Sequence, residues 1–340
     1  AITYAIQCIT SVGDNIVSTS QLYGGTYNLF AHSFPRQGIE VRMAAFDDFD
    51  AIEKHIDDNT RALFCESIGN PAGNIVDIEK LAEIAHRHGI PLMVDNTVAT
   101  PFLCQAFSHG ADIIVHSLTK YIGGHGTTVG GAIVDSGKFD WVKNKARFPV
   151  LNEPDPSYHD VVYTEAFGEA AFIGRCRVVP LRNTGAALAP HSAFLIMQGL
   201  ETLGLRMERH CENALKVAEH LQQHPKVEWV SYAALPDSPY NAVCRRITKG
   251  QASGILSFGI AGGKASGEQF IDALKMILRL VNIGDAKSLA CHPASTTHRQ
   301  LNDEELKAAG VSEDLVRISV GIEHIDDILA DIDQALSAVG

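Results

Sequence analysis

Short apolar segments alternate with longer amphipathic segments through the first 135 residues, and this alternation constrains the fold more than any other feature of the chain. Strands that are apolar along their length, without a polar face, are typical of parallel sheets buried on both sides. The helical segments between them would supply that cover. The pattern predicts an α/β fold with a mostly parallel sheet, with strands at Asn15–Ser18, Ala62–Glu66, Pro91–Asp95, Ile113–His116 and Gly131–Val134.

The segments between the strands are of two kinds. Ile78–His88 carries apolar residues at helical spacing and is followed by Gly89, which predicts an amphipathic helix with a glycine at its end. Residues 136–185 contain FPVLNEPDPSYHD, which is rich in Pro, Asp and Asn. They predict a long loop that leaves the sheet, and such loops usually serve a function or contact a partner.

The second half of the chain predicts a smaller domain. His191–Leu221 has the length and spacing of one long helix that links two domains. Strands are predicted at Ile255–Ile260 and Val316–Val320. Because a chain of 340 residues suits about two domains, we expect a large domain at residues 1–188 and a smaller α+β domain at residues 189–340.

Charge and composition exclude several classes of partner. A net charge of -12 argues against binding to nucleic acid or anionic membranes. No apolar run reaches the roughly 18 residues of a membrane span, and the first ten residues do not resemble a signal peptide. The seven cysteines are scattered without a C-x-x-C pair or zinc spacing, so we expect reduced thiols, no metal site and a cytoplasmic location.

Lys120 is the first candidate for chemistry, because it follows a predicted strand and precedes the glycine-rich stretch YIGGHGTTVGG. Open α/β sheets bind ligands at the carboxyl ends of their strands. A lysine there can form a Schiff base when burial depresses its pKa. Ser117 and Thr119 lie two residues apart, so both hydroxyls could face one phosphate. A surface lysine is the alternative, and only the neighbouring motifs decide between the two.

Asp95 closes the apolar segment IPLMVDNT, where a carboxylate is costly unless it has a partner. A pyridoxal phosphate (PLP) cofactor would provide that partner, since its pyridine nitrogen stays protonated opposite a carboxylate. Thr97 follows closely and can supply a hydrogen bond. An aspartate that caps the next turn is the alternative interpretation.

Two further motifs fit a flat cofactor. Tyr23 stands beside Gly24 and Gly25, so its ring could lie against a cofactor ring while the backbone approaches closely. Asn70 precedes a proline and is therefore held extended, with an amide that could reach the ring hydroxyl. Each motif alone is also consistent with a plain turn.

Arg317 lies inside the predicted strand Val316–Val320 and must find an anion there. A guanidinium suits the two oxygens of a substrate carboxylate, although a structural salt bridge is the alternative. Ser288, in the stretch NIGDAKS, could supply a second contact to that carboxylate.

The segment Gly124–Gly130 nearly matches the dinucleotide fingerprint G-x-G-x-x-G, which leaves a nicotinamide oxidoreductase as an alternative from another class. Its last glycine is one position late, and the segment precedes a predicted strand instead of a helix. We therefore predict that it does not bind a nicotinamide cofactor.

Together these motifs, in this order, resemble those of the Cys/Met-metabolism PLP-dependent enzymes over essentially the whole chain. The resemblance implies the fold type I of PLP-dependent transferases, which is that of aspartate aminotransferase. It implies that Lys120 is the catalytic Schiff-base lysine, that Asp95 faces the pyridine nitrogen and that Tyr23 stacks on the ring. It also implies phosphate contacts by Ser117 and Thr119, a ring-hydroxyl contact by Asn70 and a substrate-carboxylate contact by Arg317.

Within the family, the loop GGHGTTVGG and the stretches FPVLNEPDPSYHD, LRNTGAALAP, GLETLGLRMERH and NIGDAKSLACHPASTTH resemble the O-acetylhomoserine sulfhydrylases. This implies replacement of the acetyl group of O-acetylhomoserine by sulfide or methanethiol, giving homocysteine or methionine and acetate. A γ-lyase or cystathionine γ-synthase activity is the alternative within the family.

The resemblance also implies a homotetramer built as a dimer of dimers. Family members carry a further N-terminal segment that contacts the cofactor phosphate, and Ala1–Tyr4 corresponds to the helix just after it. We therefore expect that the chain as given lacks part of the phosphate site, and an inactive fragment or assembly partner is a further alternative.

Overall fold

The computed structural model describes residues 1–296 and 312–340, and in these residues the strands form two sheets. The end of the stretch NIGDAKSLACHPASTTH, at residues 297 and 298, lies outside the described residues. The first sheet has six strands, which are β1 (Asn15–Thr19), β2 (Glu40–Ala44), β3 (Thr60–Glu66), β4 (Leu92–Asp95), β5 (Ile113–Ser117) and β6 (Gly131–Asp135).

The strand order of this sheet is β2-β1-β3-β4-β5-β6, and only β6 pairs antiparallel to its neighbour. The prediction of a mostly parallel sheet is confirmed, as are its five predicted strands. Strand β2 was missed because it lies at the edge of the sheet and is polar and largely exposed at its start, so it has no apolar run.

Strands β3, β4 and β5 end side by side, and this edge places the site. Glu66 is the register partner of Asp95, which in turn is the partner of Val115. Because the carboxyl ends of parallel strands meet at one edge, the polar residues that follow these strands lie close together.

The amphipathic helix Ile78–Arg87 packs on one face of the sheet, as predicted. Asp77 accepts a hydrogen bond from the backbone N–H of Lys80 and so caps its first turn. Gly89 follows its end with φ of 66°, a left-handed conformation that favours glycine. Other helices of the described residues are Ile2–Gln7, Gly24–Asn28, Phe49–Lys54, Thr100–Leu103, Arg182–Thr184 and Asn241–Ile247.

The prediction that residues 136–185 leave the sheet is confirmed, since the segment adds no strand to it, but the expectation of a long loop was wrong. The segment forms short helices at Pro149–Asn152, Tyr163–Phe167 and Ala171–Cys176. Its aromatic residues pack with residues of the sheet's second face in one buried cluster. Trp141 and Phe172 stack there with ring centroids 5.7 Å apart. Turn-forming residues dominate the sequence of this segment, but its few large apolar side chains direct its packing.

The predicted long helix is two helices, Pro190–Glu201 and Leu203–Gln222, which meet at Thr202. The first of them lies against the loop that follows Lys120, where a Cβ atom at Gly199 would overlap the carbonyl group of Gly123. Neither helix, nor any other helix in the described residues, is long and apolar enough to cross a membrane.

The second sheet contains β7 (Val227–Ser231), β8 (Ile255–Ile260), β9 (Leu278–Arg279), β10 (Leu289–Cys291) and β11 (Leu315–Ser319), in the order β7-β8-β11-β10-β9. Two of these strands, β8 and β11, were predicted. The helices Gly263–Ala273 and Ile325–Ala338 pack together and carry buried residues of the same core. The domain boundary after residue 188 stays a prediction.

Candidate active site

A cavity of about 650 Å³ opens at the carboxyl edge of the first sheet, beside strand β11 of the second. It is lined by eight of the nine residues that the sequence pointed to, which are Tyr23, Asn70, Asp95, Thr97, Ser117, Thr119, Lys120 and Arg317. They come from separate segments of the chain, so the fold assembles what the sequence disperses.

Lys120 lies three residues after the end of β5, and its side chain is largely buried in the cavity wall. Its Nζ donates a hydrogen bond to Oδ1 of Asn282. Burial, with the nearby charge of Arg317, lowers the pKa of Lys120 below its usual value of 10.5. A depressed pKa makes the neutral, nucleophilic amine easier to reach, which suits a lysine that forms covalent bonds.

The backbone that follows Lys120 is fixed by the buried side chain of Arg206. Its Nη1 donates to the carbonyl oxygen of Tyr121 at 2.6 Å, and its Nη2 donates to that of Gly199 at 2.6 Å. Arg206 therefore joins the lysine loop to the helix that packs against it. Sequence reasoning missed this residue, because a single arginine in a helix carries no distinctive pattern.

Two carboxyl groups lie side by side at the floor of the cavity. Burial raises the pKa of Asp95, although the backbone N–H of Thr97 donates to its Oδ1 at 2.9 Å. Burial and the neighbouring Asp95 raise the pKa of Glu66 well above its ordinary value. A cationic ring nitrogen at this floor would compensate the charge of Asp95, which is the partner that a pyridinium needs.

The hydroxyl-bearing residues are held in place by the backbone around them. Ser117 donates its N–H to Oγ1 of Thr97 at 2.8 Å. Oγ1 of Thr119 accepts from the N–H of Gly130 at 3.1 Å. The two segments that carry these side chains are thus locked together on one wall of the cavity.

Tyr23 covers the cavity from the side of the helix Gly24–Asn28. Its backbone N–H donates to Oε1 of Glu66 at 2.7 Å. Its ring is 52% exposed and packs over Gly25, where a Cβ atom would lie 2.5 Å from Cε1 of the tyrosine. Glycine at this position therefore lets the ring lie close to the backbone.

Arg317 reaches the cavity from β11. Its Nη1 donates to Oδ1 of Asn70 at 3.1 Å, and its Nη2 donates to the carbonyl oxygens of Val281 and Asn282 at 2.7 and 3.2 Å. Within residues 1–296 and 312–340, its buried Nε has no hydrogen-bond partner and the side chain pairs with no carboxylate. The salt-bridge alternative therefore finds no support in these residues, and the charge of the guanidinium at the cavity wall would suit an anion there.

The structure does not bring Ser288 to the cavity. Its side chain is fully buried, where Oγ donates to Oε2 of Glu323 at 2.9 Å and accepts from the N–H of Gly321 at 2.8 Å. Asn282, six residues earlier in the same motif, lines the cavity instead. The sequence carried a signal for it, because Asn282 is a polar residue directly after the apolar run Leu280–Val281.

The loop Gly124–Gly130, which resembles the dinucleotide fingerprint, leads into β6 and not into a helix. It therefore lacks the helix N-terminus that holds a pyrophosphate in nicotinamide enzymes.

Comparison with known proteins identifies the family. The family described as "Cys/Met metabolism PLP-dependent enzyme" matches residues 1–337. The chain belongs to this family. The predictions of a PLP-dependent enzyme and of its fold are thereby confirmed.

Within this PLP-dependent family, several relatives are highly similar to the chain. Homocysteine synthase of Schizosaccharomyces pombe is 52% identical over 99% of the chain and 79% of its own length. O-acetyl-L-homoserine sulfhydrylase of Leptospira meyeri is 48% identical over 98% of the chain and 77% of its own length.

Solved structures of the family have the same fold. An O-acetylhomoserine (thiol)-lyase of Campylobacter jejuni is 44% identical, with a TM-score of 0.96 over 99% of this chain and 80% of that one. The same structure carries a pyridoxyl-lysine monophosphate. The O-acetylhomoserine sulfhydrylase of Wolinella succinogenes is 39% identical, with a TM-score of 0.84 over 99% of this chain and 89% of that one.

The cavity contains groups that suit the PLP of this family. It combines a lysine with a depressed pKa, a buried carboxyl at the floor, an aromatic ring at the mouth and an arginine with a free donor among the described residues. These four groups match the reactive aldehyde, the pyridine nitrogen and the flat ring of PLP, and the carboxylate of an amino-acid substrate.

Proposed function

We propose that this enzyme replaces the acetyl group of O-acetyl-L-homoserine by sulfide or methanethiol, forming homocysteine or methionine and releasing acetate. The observation that carries the proposal is that Lys120 and Arg317, from different sheets of the fold, line one cavity. The names of the similar proteins, homocysteine synthase and O-acetyl-L-homoserine sulfhydrylase, support the choice of reaction.

The cofactor is held by the residues around the cavity. Asp95 would face the pyridine nitrogen, Tyr23 would cover the ring and Asn70 would contact the ring hydroxyl. Ser117 and Thr119 would hold the phosphate, and Thr97 fixes the orientation of the Asp95 carboxylate through its backbone N–H. When bound, PLP withdraws electrons from the carbon atoms of the substrate and so stabilises negative charge there.

Lys120 has two roles in this proposal. Its amine would hold the cofactor covalently, and the same amine in its neutral form would accept the proton of the substrate's α-carbon and help to move a β-proton. The lowered pKa of Lys120 supports this role, because it favours the unprotonated amine, which can accept a proton. Tyr23 shares in the proton transfer.

Arg317 binds the α-carboxylate of the substrate. Its Nη atoms are held by Asn70 and by the backbone of Val281 and Asn282, which fixes the guanidinium at the cavity wall. The side-chain amide of Asn282 provides the second contact that the sequence analysis assigned to Ser288. Loss of Lys120 to the cofactor would free that amide.

Product analysis distinguishes this reaction from its alternatives. O-acetyl- and O-succinyl-homoserine are each offered sulfide, methanethiol and cysteine with added PLP. Homocysteine or methionine from the acetyl ester supports the proposal. Keto acid and ammonia indicate a γ-lyase, and cystathionine formed from cysteine indicates a cystathionine γ-synthase. A protein that shows no turnover and binds no PLP would support the alternative of an inactive chain.

We also propose that the enzyme assembles as a homotetramer and acts in the cytoplasm. Exposed apolar side chains support an assembly, because such patches commonly mark interfaces. All seven cysteines lie in the described part of the chain and are unpaired, which fits a reducing compartment. Sedimentation of the PLP-loaded protein tests the tetramer, and a monomer would contradict it. The exposed apolar residues of the two successive helices are Phe194, Met197, Leu200 and Leu205.

A further inference from the structure

Glu66 is a buried acid at the cavity floor to which the proposed reaction gives no part. It is only 4% exposed, and it ends β3 directly beside Asp95 on β4. A buried carboxyl is costly unless it meets a specific need, so its presence beside a second one calls for a physical account.

Glu66 meets such a need through a hydrogen bond to the backbone of Tyr23. Oε1 of Glu66 accepts from the backbone N–H of Tyr23 at 2.7 Å. Tyr23 stands immediately before the short helix Gly24–Asn28, where its N–H has no place in the helical ladder. The half-exposed ring is covered by little packing of its own, so this polar contact ties the tyrosine to the floor of the cavity.

The surroundings of the two acids act on their charge. Burial and the charge of Asp95 raise the pKa of Glu66 well above its ordinary value, which favours its neutral form. Burial raises the pKa of Asp95 as well, and a cation at the cavity floor would favour its charged form. A neutral acid still accepts a hydrogen bond through its carbonyl oxygen, so the contact with Tyr23 does not need the charge.

We propose that Glu66 is a positioning residue, which holds the ring of Tyr23 over the cofactor by accepting the N–H of Tyr23. The inference rests on the proposed function of Tyr23, and it assigns to Glu66 the orientation of the aromatic cover instead of a proton-transfer step. This role requires an oxygen acceptor at hydrogen-bond distance from the N–H of Tyr23, and it does not require an ionisable group.

Two substitutions distinguish the position of the acceptor oxygen of Glu66 from the acidity of its side chain. Glu66→Gln keeps an acceptor oxygen at the same distance and removes the acid. Glu66→Asp keeps the acid and withdraws the oxygen by one methylene. Visible circular dichroism of bound PLP, per mole of cofactor, reports the orientation of its ring in the PLP-loaded protein. The rate of cofactor loss on dilution reports how firmly the ring is covered.

We expect Glu66→Gln to retain the dichroism signal. Glu66→Asp should reduce it and speed cofactor loss by roughly 2- to 10-fold, the value of one neutral hydrogen bond. Tyr23→Ala should produce the same changes, and Glu66→Asp should add nothing in a Tyr23→Ala background, because residues that act through one contact are not additive. Far-UV dichroism verifies that each variant is folded.

Three results would overturn the inference. A Glu66→Gln protein as impaired as Glu66→Asp would assign the role to the acid itself. A Glu66→Asp protein equal to the parent would remove the positioning role, as would additive effects with Tyr23→Ala. A parent protein that binds no PLP, or a Tyr23→Ala protein that holds it normally, would instead refute the proposed function of the site.

Discussion

The side-chain amine of Lys120 donates a hydrogen bond to the side-chain oxygen of Asn282, which lies 162 residues further along the chain. Lys120 follows strand β5 of the first sheet, and Asn282 follows strand β9 of the second sheet. The lysine is therefore held where the two sheets meet, largely out of water. This position accounts for the direction of its pKa, because burial disfavours the charged amine.

A pH-dependent stability follows for the PLP-free protein. The pKa of Lys120 in the folded protein lies below the value of 10.5 for an ordinary lysine. At pH values between the folded-state pKa and 10.5, the unfolded chain binds more protons than the folded one, so the free energy of unfolding rises with pH. In Lys120→Met this contribution is absent. We expect the parent to gain unfolding free energy relative to Lys120→Met as the pH is raised from neutral towards 10.5.

Chemical denaturation at several pH values measures this difference. Lys143→Met, at an exposed position, serves as the matched control and should follow the parent at every pH. A constant difference between parent and Lys120→Met across the range would mean that the amine is not penalised by burial.

Arg317→Lys should weaken the binding of the amino-acid substrate. Lysine lacks the planar set of donors and cannot hold Asn70, the backbone carbonyls and a carboxylate together. We expect KM for the homoserine ester to rise roughly 10- to 100-fold, the value of a charge-assisted hydrogen bond. Steady-state kinetics measure it, with the exposed Arg279→Lys as control. An unchanged KM would place the substrate carboxylate elsewhere.

Ser288→Ala should affect stability, whereas Asn282→Ala should affect substrate binding. Ser288 links Glu323 to the N–H of Gly321 inside the core, so its loss should lower the free energy of unfolding by about 1–3 kcal/mol while KM changes little. Asn282→Ala should raise KM and leave stability closer to the parent. Denaturation and kinetics on both variants measure the contrast, and a larger KM change in Ser288→Ala would restore Ser288 to the site.

Phe172→Ala tests the packing of residues 136–185. The ring is fully buried and stacks on Trp141, so its removal should lower the free energy of unfolding by about 3–5 kcal/mol. Val142→Ala, at an exposed position in the same segment, is the control and should cost little. Denaturation midpoints measure both variants. Equal, small effects would mean that the segment does not contribute to the core.

The predicted residues that the structure brings to one cavity share one property. Lys120 and Asp95 each follow an apolar strand of the parallel sheet, and the geometry of such sheets brings strand ends to one edge. The order of apolar strands along the chain was therefore enough to predict that the two side chains meet. Arg317 was found for a related reason, since a charged residue inside an apolar strand needs a partner.

The residues that the sequence missed depend on tertiary packing. The apolar run before Asn282, Leu280–Val281, has only two residues, and this signal is too weak to predict a strand end. Glu66 was visible at the end of β3, but its contact is with the backbone of Tyr23, and backbone groups leave no trace in a sequence. The burial of residues 136–185 was missed likewise, because dispersed aromatic residues such as Trp141 and Phe172 lack a period.

The central claim is that Lys120 carries the cofactor, and the visible absorption of the purified protein with added PLP tests it most directly. The parent should bind PLP covalently and display the absorption band of a lysine Schiff base. Reduction by borohydride should then attach the cofactor permanently to residue 120. Lys120→Ala should fold, lack that band and lose turnover of the homoserine ester. A Lys120→Ala protein that still displays the band, with PLP fixed by borohydride to another lysine, would contradict the account.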